Sequence, residues 1–233
     1  MQNSKTKFVT DMFDDIHDKY DFLNTILSAG QDRRWRKLAV KPLPNDGIII
    51  DLCAGGGEMS QAILSRKSFT GTVAVTDISK GMLSLTAKNM NNEFTGRHFL
   101  VVCDAEQLPF KNNAFDGATS AFCLRNLSNL PRFTDEVNRC LRPNSIARHL
   151  EIAHPPNKLY SMLFNFYFYR LSPIIARLFT AKTYAYKYLP NSLKVFPTQD
   201  KVLSILGKGW SDSSYKNIMG GISAIYTLKK DAK

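Results

Sequence analysis

The stretch Asp51-Leu52-Cys53-Ala54-Gly55-Gly56-Gly57-Glu58 constrains this chain more than any other. It closes a short apolar run, residues 47–52, and opens a helical stretch at 58–66, so a buried strand runs through three glycines into a helix. Glycine lets the backbone turn tightly and approach a ligand closely. In a doubly wound sheet, ligands sit outside the carboxyl ends of the strands, where the strand order reverses. The arrangement therefore predicts a nucleotide-like ligand at this loop.

The neighbouring segments supply the rest of such a sheet. Residues 71–77, 98–104 and 115–124 read as further strands, and 145–152 as a fifth, with helices expected at 79–91 and 131–141. This alternation predicts a mostly parallel sheet with helices on both faces. Residues 8–40 carry Phe13, Ile16, Tyr20, Leu23 and Leu27 at three- and four-residue steps, one apolar helical stripe, with a stop at Ala29-Gly30. Residues 155–207 are aromatic and basic. They read as a helical cap over the sheet, interrupted near Pro173 and Pro190. Residues 210–230 read as a closing hairpin. The expected organisation is one domain: an N-terminal helical segment (1–44), a ligand-binding core (45–154), the cap (155–207) and closing strands (208–233).

The chemistry of the loop narrows the ligand. A dinucleotide fingerprint requires a third glycine where this chain has Ser60, and no Walker lysine follows. Asp51 and Glu58 flank the loop, which suits a cationic, phosphate-free nucleoside such as S-adenosylmethionine. Asp77 ends the second strand, where an acid accepts from both ribose hydroxyls; Asp104 ends the third, beside Ala105, where it accepts from an adenine amino group. A single acid at a strand end is more often a helix cap. Three in order at successive strand ends form a pattern.

Charge and composition bound the remainder. The net charge is +11, of which residues 155–233 carry +9 and the rest +2. A basic, aromatic segment fits an anionic membrane surface or a nucleic acid, though no RNA-recognition motif accompanies it and the solvated lysine-rich surface is the simplest reading. The start of the chain has no apolar signal segment, and no uncharged run is long enough to span a bilayer. Cys53, Cys103, Cys123 and Cys140 form no CxxC pair, and His17, His98, His149 and His154 form no metal constellation. A cytoplasmic, reduced protein is expected, peripheral at the membrane if the basic segment binds lipid.

Motifs spread along the chain carry a family resemblance. They are Tyr20-Asp21-x-x-Asn24, Leu27-Ser28-x-Gly30-x-x-Arg33-x-Trp35-Arg36, Asp77-Ile78-Ser79, Asp104-Ala105-Glu106, Phe122-x-Leu124-Arg125-Asn126, Tyr188-Leu189-Pro190 and Phe196-Pro197-x-Gln199. Together they resemble the UbiE/MenG family of menaquinone and ubiquinone biosynthesis C-methyltransferases. The resemblance implies a Rossmann-like class I methyltransferase fold with a seven-stranded sheet. It implies S-adenosylmethionine as cofactor, held by Asp51, Gly55, Gly56, Gly57, Asp77, Ile78, Asp104, Ala105 and Ala121. It implies Arg125 and Asn126 as catalytic residues that stabilise a phenolate or order a proton-accepting water, Tyr20, Asn24 and Phe122 as acceptor-lining groups, and His154 as a candidate base. A polyprenylated quinol would be the substrate, with the aromatic cap either lining a tail channel or forming its own core, and a homodimer as the assembly. The chain departs from the family pattern at Gly56, Glu58, Ala121, Asn144-Ser145 and Ile152-Ala153. A methyltransferase for RNA or another small molecule, and a non-catalytic scaffold binding cofactor or lipid, are the competing readings.

Overall fold

A computed structural model describes residues 4–90, 94–179 and 183–232, with side chains described except at 17–24, 26, 27, 176, 178, 179 and 183–187. Of the resemblance-based residues, Tyr20 and Asn24 thus lie outside the described side chains.

Five parallel strands form the body of the sheet: β1 (Ile48–Leu52), β2 (Thr72–Asp77), β3 (His98–Val102), β4 (Phe115–Ala121) and β5 (Leu141–Ile152). A hairpin of β6 (Asp212–Ile218) and β7 (Ser223–Lys229) completes it, β7 running antiparallel to β5. The seven-stranded order is β3-β2-β1-β4-β5-β7-β6. The order reverses between β1 and β4, and their neighbouring carboxyl ends open the crevice in which such sheets bind ligands. β1 and β2 are near-continuous runs of Ile, Val and Ala because both faces are covered. The edge strand β6 instead alternates polar residues, including Lys216, which suits a strand with one unpaired side.

Two apolar clusters sit on opposite faces. Ile49, Val73 and Val75 pack with Ala39, Val40, Met59 and Ile63 from α2 (Gln31–Val40) and α3 (Glu58–Leu64). Ile50, Leu52 and Ala118 pack with Phe133 and Val137 from α5 (Leu130–Cys140) and with Val202 and Leu206 from α9 (Gln199–Leu206). α1 (Ser4–Leu27) and α4 (Lys80–Met90) pack together beside β2 and β3. The expected stop at Ala29-Gly30 is present: both take positive φ, 50° and 72°, between α1 and α2. Asn144, where the family pattern has glycine, has φ 64°, a region Asn tolerates better than most residues.

The aromatic segment departs from the expected interruptions. α6 (Lys158–Phe166) runs through a π-helical turn (Tyr167–Leu171) into α7 (Ser172–Phe179), so Pro173 lies inside a continuous helical stretch, two residues past the π-turn, where the α-helical hydrogen-bond ladder is already interrupted. Pro190 does not break the chain either. It lies buried inside α8 (Thr183–Val195), and the helix stops only before Phe196-Pro197, since a residue preceding proline is driven out of the helical region.

Candidate active site

The crevice begins with Asp51, fully buried at the end of β1. Ser60 Oγ donates to its Oδ2 at 2.6 Å, while Oδ1 has no hydrogen-bond partner among the described residues. Burial pushes its carboxyl up to about 7, against the opposing Ser60 hydrogen bonds and the charge of Arg36. The loop then turns on left-handed residues, Cys53 at φ 53°, Gly55 at 58° and Gly57 at 89°. At Gly57 the close approach is also steric: a Cβ would lie 2.8 Å from Thr86 Cγ2. The loop's Gly55 N–H donates to Asp77 Oδ2 at 2.9 Å, and Ser79 N–H donates to Asp77 Oδ1 at 2.8 Å. Burial raises the Asp77 carboxyl to about 6 despite these bonds. Asp104 Oδ1 accepts the Glu106 N–H at 2.8 Å.

These groups line two joined hollows. The first, about 80 Å³, is bounded by Gly55, Asp77, Ile78, Asp104, Ala105 and Asn126, and closed on one side by Thr6, Val9 and Phe13 of α1. A smaller polar recess continues it through Cys53, Gly55 and Ala121 to Arg36, Asp51 and Glu58. Five carboxylates, Asp51, Glu58, Asp77, Asp104 and Glu106, line this trough against one arginine, Arg36, and one buried carboxylate oxygen is unsatisfied. That donor set fits a nucleoside carrying positive charge and suits a pyrophosphate poorly. Polar contacts hold α1 over it: Lys5 Nζ donates to the carbonyls of Arg125 and Leu127, and Asp14 accepts from Ser79 Oγ and Gly81 N–H.

A second cavity, about 320 Å³, adjoins it across Phe122, which lines both. Its walls are apolar: Trp35, Ile152, Phe164, Phe168, Leu189 and Ile222. Two charged residues break them, Arg125 and Asp32. The Arg125 guanidinium donates to the Phe122 carbonyl at 2.8 Å and pairs with Glu151, which is fully buried and also accepts the Arg125 N–H at 3.2 Å. Phe122 itself holds φ 59°, a strained conformation for an aromatic residue. The Arg36 guanidinium lies over its ring, 5.1 Å from the centroid.

The structure thus brings Asp51, Gly55, Asp77, Ile78, Asp104, Ala105, Ala121, Phe122, Arg125 and Asn126 to one crevice. Asn126 lines the trough, and its Oδ1 is buried with no hydrogen-bond partner among the described residues. Gly56 and Gly57 line neither cavity; they shape the turn, the Gly56 carbonyl accepting from Asn89 and Gly57 preceding α3. His154 is held elsewhere, its Nε2 2.9 Å from the Phe196 carbonyl. Sequence reasoning missed Asp32, Arg36, Glu151 and the α1 residues Val9 and Phe13. Arg36 and Glu151 stood within motifs or strands already noted, but nothing in their spacing announced Arg36 in the recess wall or Glu151 as the partner of Arg125.

The strand order, with ligand-sized hollows at the carboxyl ends of β1, β2 and β4, defines a class I S-adenosylmethionine-dependent methyltransferase fold. A SAM-dependent methyltransferase from Thermotoga maritima is similar, with TM-score 0.68 at 14% identity, covering 95% of this chain and 99% of that one. Phosphoethanolamine N-methyltransferase 2 of Haemonchus contortus, solved in complex with S-adenosyl-L-methionine, gives a TM-score of 0.63 at 14% identity, covering 94% and 60%. The model of the ubiE/COQ5 methyltransferase family matches residues 1–230, and the chain belongs to that family. Among its relatives, the ubiquinone/menaquinone biosynthesis C-methyltransferase UbiE of Geobacter sulfurreducens is 35% identical, covering 98% of this chain and 91% of its own. The demethylmenaquinone methyltransferase of Desulfitobacterium hafniense is 32% identical, covering 97% and 91%.

Proposed function

We propose that this protein uses S-adenosylmethionine to methylate a ring carbon of a polyprenylated hydroquinone, demethylmenaquinol or a ubiquinol precursor. The observation that carries the reading is the 320 Å³ apolar cavity that meets the carboxylate-lined trough at Phe122 and presents Arg125 in its wall. Relatives named for menaquinone and ubiquinone methylation support it.

Bound S-adenosylmethionine supplies an electrophilic methyl group on a sulfonium. In this reading Asp77 holds the ribose hydroxyls, Asp104 and Ala105 the adenine, and Asp51, Gly55 and Ala121 the amino-acid end. The apolar walls orient the aromatic acceptor and exclude water from it. Arg125, fixed in advance by Glu151 and the Phe122 carbonyl, sets a positive charge where the acceptor oxygen becomes anionic. Asn126 lies on the trough side of Phe122, where its free oxygen can accept a hydrogen bond from a water.

A membrane-borne acceptor also gives the cap a role. α6 and α7 expose Leu159, Met162, Leu163, Phe166 and Ile174 next to the exposed cations Lys158, Arg170 and Arg177, while Phe164 and Phe168 of the same segment line the cavity. Such a face suits contact with an anionic bilayer at about 1 kcal/mol per cation. Among the described residues no helix is long and apolar enough to cross a membrane.

The test is transfer of labelled methyl from S-adenosylmethionine to a chemically reduced, short-tailed demethylmenaquinol, with the ubiquinol precursor in parallel. Label in either quinol is expected. No label in both, with cofactor binding shown by calorimetry, overturns the assignment.

A further inference from the structure

We infer that Asp32 is the base that takes the hydroxyl proton of the aromatic acceptor. The inference rests on the reading that the 320 Å³ cavity holds that acceptor. A hydroquinone carbon becomes nucleophilic when a ring hydroxyl loses its proton, so some group at the cavity must receive it. Arginine does not serve, because the guanidinium stays protonated at any working pH. Glu151 is fully buried and occupied by Arg125 and by the Ile152 N–H at 2.8 Å. His154 bonds the Phe196 carbonyl and does not line the cavity. Asp51 lines the polar recess on the far side of Phe122. Asp32 is the one carboxylate lining the acceptor cavity among the described residues.

Its setting matches the role. Asp32 lies in the first turn of α2, 4% exposed, so its position is set by packing rather than by solvent. Ser28 Oγ donates to Oδ1 at 2.8 Å and Arg36 pairs with Oδ2, which leaves each oxygen a further lone pair for an acceptor hydroxyl. The charged and titratable groups around it are Arg36 on its own helix, with Glu58 of α3 3.7 Å beyond; Arg125 in the wall shared with Phe122, with Glu151 buried behind it as its partner; and Tyr167 from the π-helical turn. Asp32 and Arg125 therefore put a proton acceptor and an anion-stabilising cation into one apolar space.

In the step assigned to Asp32, the acceptor O–H bond breaks. Its proton moves to an Asp32 oxygen, and its electron pair stays on the ring oxygen facing Arg125 and is delocalised onto the ring carbon that forms the new C–C bond. The methyl leaves sulfur without its bonding pair, which neutralises the sulfonium. The hydrogen on the methylated carbon then leaves as a proton to water, restoring the aromatic ring, and the proton held by Asp32 returns to the ring oxygen, so one proton is released overall. No oxidant or reductant enters.

The test uses Asp32→Asn and Asp32→Glu in the full chain. A positioned base contributes about 10²–10⁴-fold, so Asp32→Asn should lower kcat by that factor with unchanged affinity for S-adenosylhomocysteine. The deficit should also shrink as the acceptor hydroxyl is made more acidic by halogen substitution. Loss of kcat within a few-fold, or a deficit independent of acceptor acidity, overturns the assignment. A second readout needs no turnover: titration of a nitronaphthol bound without cofactor, whose anion is coloured. Beside a carboxylate its apparent pKa is raised, so Asp32→Asn should lower it; an unchanged pKa overturns the proposal. A naphthol that does not bind at all speaks against the acceptor cavity itself, which separates the two failures. If Asp32→Asn loses its native circular dichroism, Asp32→Glu decides. It keeps the pair with Arg36 but displaces the carboxylate, and should lower kcat at least about 10-fold, with the deficit again shrinking for more acidic acceptors; an unchanged kcat refutes the role.

Discussion

Replacing Asp51 by Asn tests the electrostatic state of the crevice directly. Asp51 is wholly buried, and its carboxyl stands at about 7 instead of 3.8, chiefly because burial disfavours the anion. A raised carboxyl makes folding strongest below its unfolded value and weaker as pH rises through its folded one. At 1.36 kcal/mol per pKa unit, the move from 3.8 to about 7 withholds about 4 kcal/mol from the fully ionised protein. Between pH 5 and pH 8 the same relation gives about 2–3 kcal/mol. Asparagine is isosteric, never ionises, and keeps an oxygen for the Ser60 hydroxyl. Urea denaturation of both proteins at pH 5 and pH 8 should show the variant gaining about 2–3 kcal/mol on the parent over that interval, a midpoint shift on the order of 1 M. Asp77 adds a slope of the same sign to both proteins, and His149, whose imidazole burial lowers to about 3, adds the opposite slope to both below about 6.5. Their contributions largely cancel in the comparison, and the Asp51–Asp77 repulsion lost in the variant acts in the predicted direction. Stability curves that run parallel from pH 5 to pH 8 would refute the reasoning.

Arg125→Ala should lose methyl transfer and about 3–5 kcal/mol of stability, because it strands the buried Glu151, whereas Arg125→Met with Glu151→Leu should recover most of the stability and none of the activity; chemical denaturation and label transfer distinguish them. Asp14→Ala removes the acceptor for Ser79 Oγ and Gly81 N–H that holds α1 across the trough, and should speed release of S-adenosylhomocysteine in stopped-flow measurements. Gly57→Ala places a Cβ 2.8 Å from Thr86 Cγ2 at φ 89° and should destabilise by about 1–3 kcal/mol, read as a lowered Tm. His149→Gln should flatten the loss of stability as pH falls below about 6.5, since the buried ring, 2.8 Å from Ser120 Oγ, resists the proton that the unfolded chain accepts.

Much of the trough was legible in advance because strand ends in a doubly wound sheet are places where local pattern and global position coincide. Asp51 and Asp77 end buried runs, Asp104 follows the apolar edge strand β3, and the register that sets β1 beside β2 and β4, and β2 beside β3, brings their ends together without further information. The cap was less legible. Pro190 reads locally as a breaker, yet it is buried inside a helix whose packing outweighs the lost hydrogen bond.

The alternation of apolar runs with glycine turns was enough, by itself, to determine a parallel sheet, its switch point and the acidic character of the site, since these depend on periodicity and on residues a few positions apart. Only the tertiary structure decided what faces that site. Asp32 and Arg36 reach the crevice from α2, Val9 and Phe13 from α1, and Phe164 and Phe168 from α6 and its π-helical turn, by side-chain direction and helix packing across long sequence separations. The Arg125–Glu151 pair, 26 residues apart, exists because β5 lies beside β4 and brings its end to the segment that follows β4. Sequence spacing carries no record of such contacts, because the physics that selects them is the burial of two faces of one sheet at once.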